Sequence, residues 1–241
     1  MEDLPYAVAE NILNSIYESH SGWCQSLALA CGKGCCSCCT QSVTITGLEG
    51  QQIIAFLEKE ARLGELDTIL TARHSGSHQP PLTTNEFAKY CLQGIAPEEP
   101  ISEDWDFSPC PFLRDKSCTI YPVRPFGCRA FISTIPCHET GCAEIEPIAL
   151  TLNTIFTQLV EHVAQGHSWG KMLDILRRYR FAGNTPKKNG QNPPLRDAKA
   201  IPGLIVCEGE QKAVKAALGP LLAKSLKNGK IKEFLSLEGI I

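Results

Sequence analysis

Apolar side chains recur every three or four residues along much of this chain, which is the spacing of one buried face of an α-helix. The clearest stretches with this period are residues 6–17, 48–57, 152–163 and 172–179. Residues 43–46 instead alternate between apolar and polar side chains, which indicates a short β-strand. The patterning therefore predicts a mainly α-helical fold with minimal β-structure.

Three short motifs predict where helices begin or end. Thr46-Gly-Leu-Glu49 has the spacing of a capping box, in which Thr46 and Glu49 exchange side-chain-to-backbone hydrogen bonds at a helix start. Ser168 is a candidate N-cap for the helix that follows it. Gly219 and Pro220 predict that one C-terminal helix stops and another begins, because proline is favoured in the first turn of a helix.

Two cysteine-rich segments interrupt the helical pattern. Residues 31–39 hold five cysteines and two glycines in nine positions, and residues 96–149 are rich in proline, cysteine and acidic residues. Neither segment is periodic, so both are expected to be irregular and to be held by something other than a regular apolar core. The simplest packing of the scaffold brings them together. The predicted fold is thus a helical scaffold around an irregular, cysteine-rich, metal-binding core.

Composition divides the chain into three parts. Residues 1–183 are predicted to form the cysteine-cluster domain, and 184–203 are rich in Gly, Pro and Lys, as expected of a linker. Residues 204–241 are predicted to form a basic helical segment, either separate or packed on the same domain. A chain of 241 residues is long enough to bury an ordinary apolar core.

Composition also limits the environment and the partners. No run approaches about 20 uninterrupted apolar residues, and the start lacks the basic and apolar regions of a signal peptide. A cytoplasmic protein without a membrane span is therefore expected. In a reducing compartment, thirteen cysteines favour metal binding or redox chemistry, and the odd number rules out complete disulfide pairing within one chain. The net charge of −3 argues against a dedicated nucleic-acid-binding protein.

Cys35 and Cys38 form a C-x-x-C pair in the first cysteine-rich segment. That spacing lets a tight turn direct two thiolates at one metal ion, and it recurs in zinc and iron–sulfur sites. Adjacent residues such as Cys38 and Cys39 tend to point in different directions. These two therefore serve either different atoms of a cluster or two sites, or one of them lies outside the ligand set.

The second segment places Cys110 between two prolines and Cys128 between Arg124 and Arg129. The prolines restrict the backbone and reduce the entropy lost on binding. Four thiolates on zinc, or on an oxidised four-iron cluster, leave a local charge of about −2. Arg124 and Arg129 are candidate cofactor-binding residues, because a guanidinium group lowers the pKa of nearby thiols and offsets that charge.

Three blocks of this sequence, read in order, resemble the YkgJ-type cysteine cluster family. They are the cysteine run ending in Cys-Cys, then Cys-Pro-Phe-Leu, then Cys-Thr-Ile-Tyr-Pro-Val-Arg-Pro-Phe-Gly-Cys-Arg, and they cover roughly residues 31–140. That family is described as chelating zinc or iron through eight characteristic cysteines. Carried over residue by residue, the resemblance implies these metal ligands: Cys31, Cys35, Cys38, Cys39, Cys110, Cys118, Cys128 and Cys137.

The first gap departs from the family, because three residues separate Cys31 from Cys35 where the family usually has two. Cys36 is therefore an alternative to Cys31, and Cys142 an alternative to Cys137. Similar cysteine clusters occur in flagellin lysine methylases, where the implied cofactor is an iron–sulfur cluster. Nothing else in the chain suggests that whole enzyme.

Two classes of function follow, and neither names a reaction or a substrate. Eight candidate ligands exceed the four that one zinc ion or one four-iron cluster needs, which suggests either two metals or a polynuclear cluster. The excess favours an iron–sulfur centre with a redox role or an accessory role in a modification reaction. The alternative is a structural zinc site in a protein that acts through a protein partner. Soft thiolates accept either metal.

Overall fold

The computed structural model of the protein describes residues 4–32, 34–72, 79–96, 106–181, 195–227 and 229–236. The α-helices in these ranges are α1 (Tyr6–Cys24), α2 (Gly47–Lys59), α3 (Leu63–Ala72), α4 (Thr84–Gln93), α5 (Phe126–Ala130), α6 (Cys137–Thr140), α7 (Pro147–Val163), α8 (Met172–Arg180), α9 (Gln211–Ala223) and α10 (Ile231–Phe234). The strands are β1 (Thr44–Thr46), β2 (Leu113–Arg114), β3 (Ser117–Cys118), β4 (Ser168–Lys171), β5 (Arg196–Asp197), β6 (Ser225–Leu226) and β7 (Gly229–Lys230). Tyr121–Val123 form a 3-10 turn.

The prediction of a mainly α-helical fold with little β-structure is confirmed. The largest sheet has three short strands in the order β1-β4-β5, and β2-β3 and β6-β7 are two-stranded hairpins. β1 and β4 are antiparallel, with Ile45 opposite Gly170. No helix in the described ranges is long and apolar enough to cross a membrane.

The larger of two apolar clusters lies between α1, α7 and α9. Ile12, Leu159 and Leu218, one from each helix, are fully buried in it. Helices of this length are marginal alone, and burial of one apolar face against neighbours supplies most of their stability. The periodic stretches identified in the sequence therefore form the core of the molecule.

The C-terminal part of the chain packs on this same cluster. The segment predicted over 204–241 contributes α9 to it. Residues 184–194 of the predicted linker lie outside the described residues. Residues 195–203 of that linker include β5, which pairs with β4, and they bury Ala198 and Ile201. The larger cluster thus spans the predicted boundary between domain and C-terminal segment.

The smaller apolar cluster lies between α2, α3 and α8, and it supports the second cysteine-rich segment. Ile53 of α2 and Ile175 of α8 are fully buried in it. Phe112 and Ile120, which come from the cysteine-rich segment, are only 1% and 2% exposed in the same cluster. The second segment is irregular in backbone, but its apolar side chains belong to an ordinary core.

Local motifs predicted one helix start correctly and two boundaries incorrectly. The capping box is confirmed: Glu49 N donates to Thr46 Oγ1 at 3.2 Å, and Thr46 N donates to Glu49 Oε2 at 2.8 Å. Ser168 does not cap a helix, because it begins β4 and pairs with β5. α9 continues through the predicted stop before Pro220, because the flanking Leu218 and Leu221 are buried in the core. Tertiary packing outweighs the local preference of proline at that point.

Candidate metal centre

A cavity of about 770 Å³ opens between the C-terminal end of α1, residues 31–40 and residues 110–132. Seven of the eight thiols that the sequence predicted as ligands line this cavity: Cys31, Cys35, Cys38, Cys39, Cys110, Cys118 and Cys128. Arg124 and Arg129 line it as well. The eighth predicted cysteine, Cys137, lies outside the lining, at the first residue of α6.

The first cysteine-rich segment forms its side of the cavity through tight turns. Cys35 N donates to Gly32 O at 3.1 Å, and Cys39 N donates to Cys36 O at 3.0 Å. Gly34 has φ +91°, a left-handed conformation that glycine adopts without a steric penalty. Among the described residues from 25 to 42, no side chain is buried. This segment is thus held by backbone hydrogen bonds rather than by a core.

The second segment presents its cysteines from defined local structures. Cys118 lies in β3, opposite Leu113 of β2. Asp115 and Lys116 between these strands both have positive φ, which is the geometry of the hairpin turn that matches strand twist. Cys128 lies in α5, and Cys110, Cys118 and Cys128 all pack against the smaller apolar cluster. These three thiols are held where they are by the core behind them.

Backbone hydrogen bonds join the two segments directly. Cys110 N donates to Cys39 O at 2.9 Å, and Gln41 N donates to Ser108 O at 3.0 Å. A second connection lies at the other end of the first segment, where Ala30 N donates to Ser133 O at 2.8 Å. These bonds place thiols from distant parts of the sequence around one cavity.

Arg124 is the principal positive charge among these thiols. Burial is the largest cause that raises the pKa of Cys24, Cys118 and Cys128, and the interaction with Cys39 is the largest cause that raises the pKa of Cys38. The guanidinium of Arg124 opposes each of these upward shifts. Its plane lies over the Tyr121 ring, with 4.1 Å between the guanidinium carbon and the ring centroid. Its Nε is buried and has no hydrogen-bond partner among the described residues. Arg124 therefore lies beside these thiols, where its charge would offset that of thiolates.

Arg129 has a structural role, because its hydrogen bonds are to backbone carbonyl groups. It donates to Arg124 O at 2.9 Å and to Pro122 O at 3.0 Å, and it lies 4.3 Å over the Tyr17 ring. Tyr17 in turn donates to Glu49 Oε1 at 2.8 Å. Arg129 thus holds the loop that carries Arg124 against helix α1.

The interaction between the adjacent thiols of Cys38 and Cys39 lowers the pKa of Cys39 and raises the pKa of Cys38. Burial raises the pKa of Cys128, and the charges of Cys110 and Cys118 raise it further. Neighbouring thiolates repel one another, so ionising several of these thiols together is unfavourable without a cation to offset their charge.

Cys24 is a cavity thiol that the predicted set of ligands does not include. Cys24 is half-buried and lines the cavity, and burial raises its pKa to about 11. Its Sγ lies 3.7 Å from the His20 ring, and His20 Nε2 lies 2.9 Å from Asn153 Oδ1. The four-residue spacing from His20 to Cys24 on one helix face was the available indication.

The arrangement of the side chains is not that of a closed metal site. None of the thirteen cysteines forms a disulfide bond. Across the described ranges, no three His, Cys, Asp or Glu side chains stand together as ligands of one ion. The donor set around the cavity is nevertheless almost purely sulfur, which suits zinc or an iron–sulfur cluster. The two alternative ligands, Cys36 and Cys142, lie outside the cavity lining.

The chain was also compared with known proteins. No protein-family model matches it, and no curated protein or solved structure matches it. The resemblance to the YkgJ-type cysteine cluster family therefore stays a prediction from the three sequence blocks.

Proposed function

We propose that the cysteine-lined cavity binds a metal centre through thiolates, and that this centre is an iron–sulfur cluster. One observation carries the proposal: eight cysteines from separate parts of the sequence, seven of them predicted ligands, line the same cavity. Buried thiols that act as small apolar groups would be expected to scatter through the core. None of the thirteen cysteines is fully buried.

The charges around the cavity support the same proposal. An all-thiolate centre carries net negative charge, and Arg124 lies where its guanidinium acts on four thiols. Arg129 holds that loop in place through its bonds to Arg124 O and Pro122 O. Arg124 would offset the negative charge of the centre, and Arg129 would position Arg124.

The donor chemistry favours a soft metal. His20 is the one histidine among the described residues of the lining. Its ring is hydrogen-bonded to Asn153, and burial lowers its pKa, so it stays neutral. Thiolates alone remain as ligands, and their number exceeds the four that a single zinc ion takes. A bound cluster would supply one-electron chemistry or assist a modification reaction. The protein's residues would hold it, shield its inner side and balance its charge.

A structural zinc site is the second candidate, and one observation favours it. The described residues from 25 to 42 bury no side chain, so this segment needs another source of stability. Zinc bound by thiolates commonly supplies such stability in small irregular regions. In that case the protein would act through a protein partner.

Elemental analysis and an absorption spectrum of anaerobically purified protein test both candidates. Iron with acid-labile sulfide and broad visible absorbance supports the cluster, whereas colourless protein with stoichiometric zinc supports the structural site. Cys38→Ser and Cys128→Ser should each lower metal content and stability together, because binding energy contributes to folding. Cys207→Ser is the matched control, because Cys207 lies outside the cavity lining. Free thiols with neither metal would refute the proposal.

A further inference from the structure

The cavity is larger than a metal centre alone requires. Its volume of about 770 Å³ lies within the range of pockets that hold small organic ligands, which is about 300–1,000 Å³. A metal ion bound by thiolates touches its ligands and leaves no space between itself and them. Part of the lining carries no thiol, and Ser21, Gln25, Leu27 and Leu29 belong to that part. The cavity therefore has room and surface for a second kind of ligand.

The charged side chains of the lining are all cationic. Lys116, Arg124 and Arg129 line the cavity, and no aspartate or glutamate among the described residues does so. An all-thiolate centre would carry a local charge of about −2. Three cations beside such a centre leave a surplus of about one positive charge. The lining is thus suited to a monoanion even when a centre is bound.

Arg124 is the cation best placed to receive that anion. Arg129 already donates to two backbone carbonyl groups, and Lys116 is exposed at the hairpin turn. Arg124 Nε is buried without a hydrogen-bond partner, and no ion pair between described residues includes Arg124. Its guanidinium lies 4.1 Å over the Tyr121 ring. This stacking covers one face of the guanidinium and leaves its edge for hydrogen bonds.

Two aromatic side chains of the same lining are exposed. Tyr121 is 46% exposed and Phe131 is 54% exposed. Covering such side chains with an apolar group removes a large apolar area from water and is favourable. Leu27 and Leu29, which are half-buried, add to this apolar surface. The lining thus combines one cation that lacks an ion pair with apolar side chains that lack a full cover.

We propose that the cavity binds a small organic monocarboxylate, with its carboxylate on Arg124 and its apolar body against Tyr121 and Phe131. A planar guanidinium donates two parallel hydrogen bonds to a carboxylate, which gives both affinity and orientation. One guanidinium without an ion pair suits a single negative charge better than a phosphate dianion. The inference deepens the proposed function: the position of the ligand beside a metal centre rests on that function, whereas the carboxylate pocket does not.

Isothermal titration calorimetry of the reduced full-length protein tests the inference, with cinnamate as the probe. Cinnamamide has the same apolar body without the charge and should bind about tenfold more weakly or worse. Arg124→Gln should weaken cinnamate binding by about tenfold or more. Arg124→Lys should recover only part of the affinity, because it keeps the charge but loses the planar fork. The matched control is Arg178→Gln, at an exposed arginine outside the lining, and it should bind as the wild type does.

A second variant tests the apolar side of the pocket while Arg124 stays in place. Phe131→Ala should weaken cinnamate and cinnamamide by a similar factor, because it removes only an apolar contact. Circular dichroism provides the folding control for every variant. Wild-type protein that fails to bind cinnamate, or that binds both probes equally, overturns the inference. Cinnamate binding that Arg124→Gln leaves unchanged, or that inorganic phosphate exceeds, overturns it as well.

Titrations before and after treatment with a chelator separate this inference from the proposed function. Cinnamate binding by the metal-free protein supports the pocket, whatever metal analysis finds. Protein that holds metal but binds no cinnamate overturns the pocket alone. Protein that binds cinnamate but takes up neither iron nor zinc refutes the proposed function and supports the pocket.

Discussion

The two cysteine-rich segments contribute to one cavity but are stabilised in different ways. The second segment buries Phe112, Ile120 and Phe126 to 2% exposure or less, so its thiols are fixed by the core. The first segment, in its described part from 25 to 42, buries no side chain. Irregular backbone can thus be either preorganised by packing or left to be ordered by a ligand, and cysteine content alone does not distinguish the two.

The largest expected effect concerns the protons that the preorganised thiols hold. Burial raises the pKa of Cys118 and Cys128 above the ordinary thiol value, so both are protonated at neutral pH. Metal must displace these protons, so affinity falls as pH falls. If two protons are displaced, lowering the pH by 1.5 units should weaken metal affinity about 10³-fold, which equals about 4 kcal/mol of binding free energy. Competition with a chelator measures the metal affinity at pH 7.5 and at pH 6.0. Equal affinities at the two pH values would contradict the prediction.

Truncation of an apolar side chain should separate the two segments clearly. Phe112→Ala removes a fully buried ring from the smaller cluster and should cost about 3–5 kcal/mol of unfolding free energy. Leu29→Ala is the matched control in the first segment, where the side chain is only half-buried, and it should cost about 1 kcal/mol or less. Urea denaturation of metal-free protein measures both. Equal losses would mean that the first segment has a core after all.

The buried carboxylate of Glu49 should also matter more to the second segment than to the first. It accepts hydrogen bonds from Phe126 N at 2.7 Å and from Tyr17 Oη at 2.8 Å, which fixes the start of α5 two residues before Cys128. Glu49→Gln should destabilise the protein by about 1–3 kcal/mol. Glu18→Gln, at an exposed carboxylate paired with Lys224, should change stability by less than about 1 kcal/mol. A thermal unfolding series compares them.

Metal should protect the first segment more than the second. Adding a chelator should speed hydrogen exchange at the amides of Cys35, Cys39 and Gln41 by about tenfold or more, because local opening is no longer opposed by ligation. The amides of Thr119 and Val123, which lie in the core-supported segment, should change less. Uniform changes along both segments would indicate that metal stabilises the whole fold and not one part of it.

Features that depend on a few neighbouring residues were predictable from sequence. The helical periodicity of 6–17 and 152–163 corresponds to α1 and α7, and the capping box at Thr46 and Glu49 is present. Ser168 and Pro220 were misjudged, because pairing with β5 and burial of Leu218 outweighed their local preferences. Local rules hold where no distant contact opposes them.

The cavity thiols could be named from the sequence, but their arrangement could not. The resemblance of three sequence blocks implied seven residues that the fold brings to one cavity. Spacing by itself indicated only the C-x-x-C pair of Cys35 and Cys38, whose short turn constrains two thiols locally. The neighbours across the cavity depend on contacts between segments about seventy residues apart, such as Cys39 with Cys110. Cys24 lines the cavity and Cys137 does not. Their positions depend on the packing of helix α1 and of the 131–133 loop, where Ser133 O accepts a hydrogen bond from Ala30 N. Such long-range contacts are set by burial of the whole core, which no local pattern encodes.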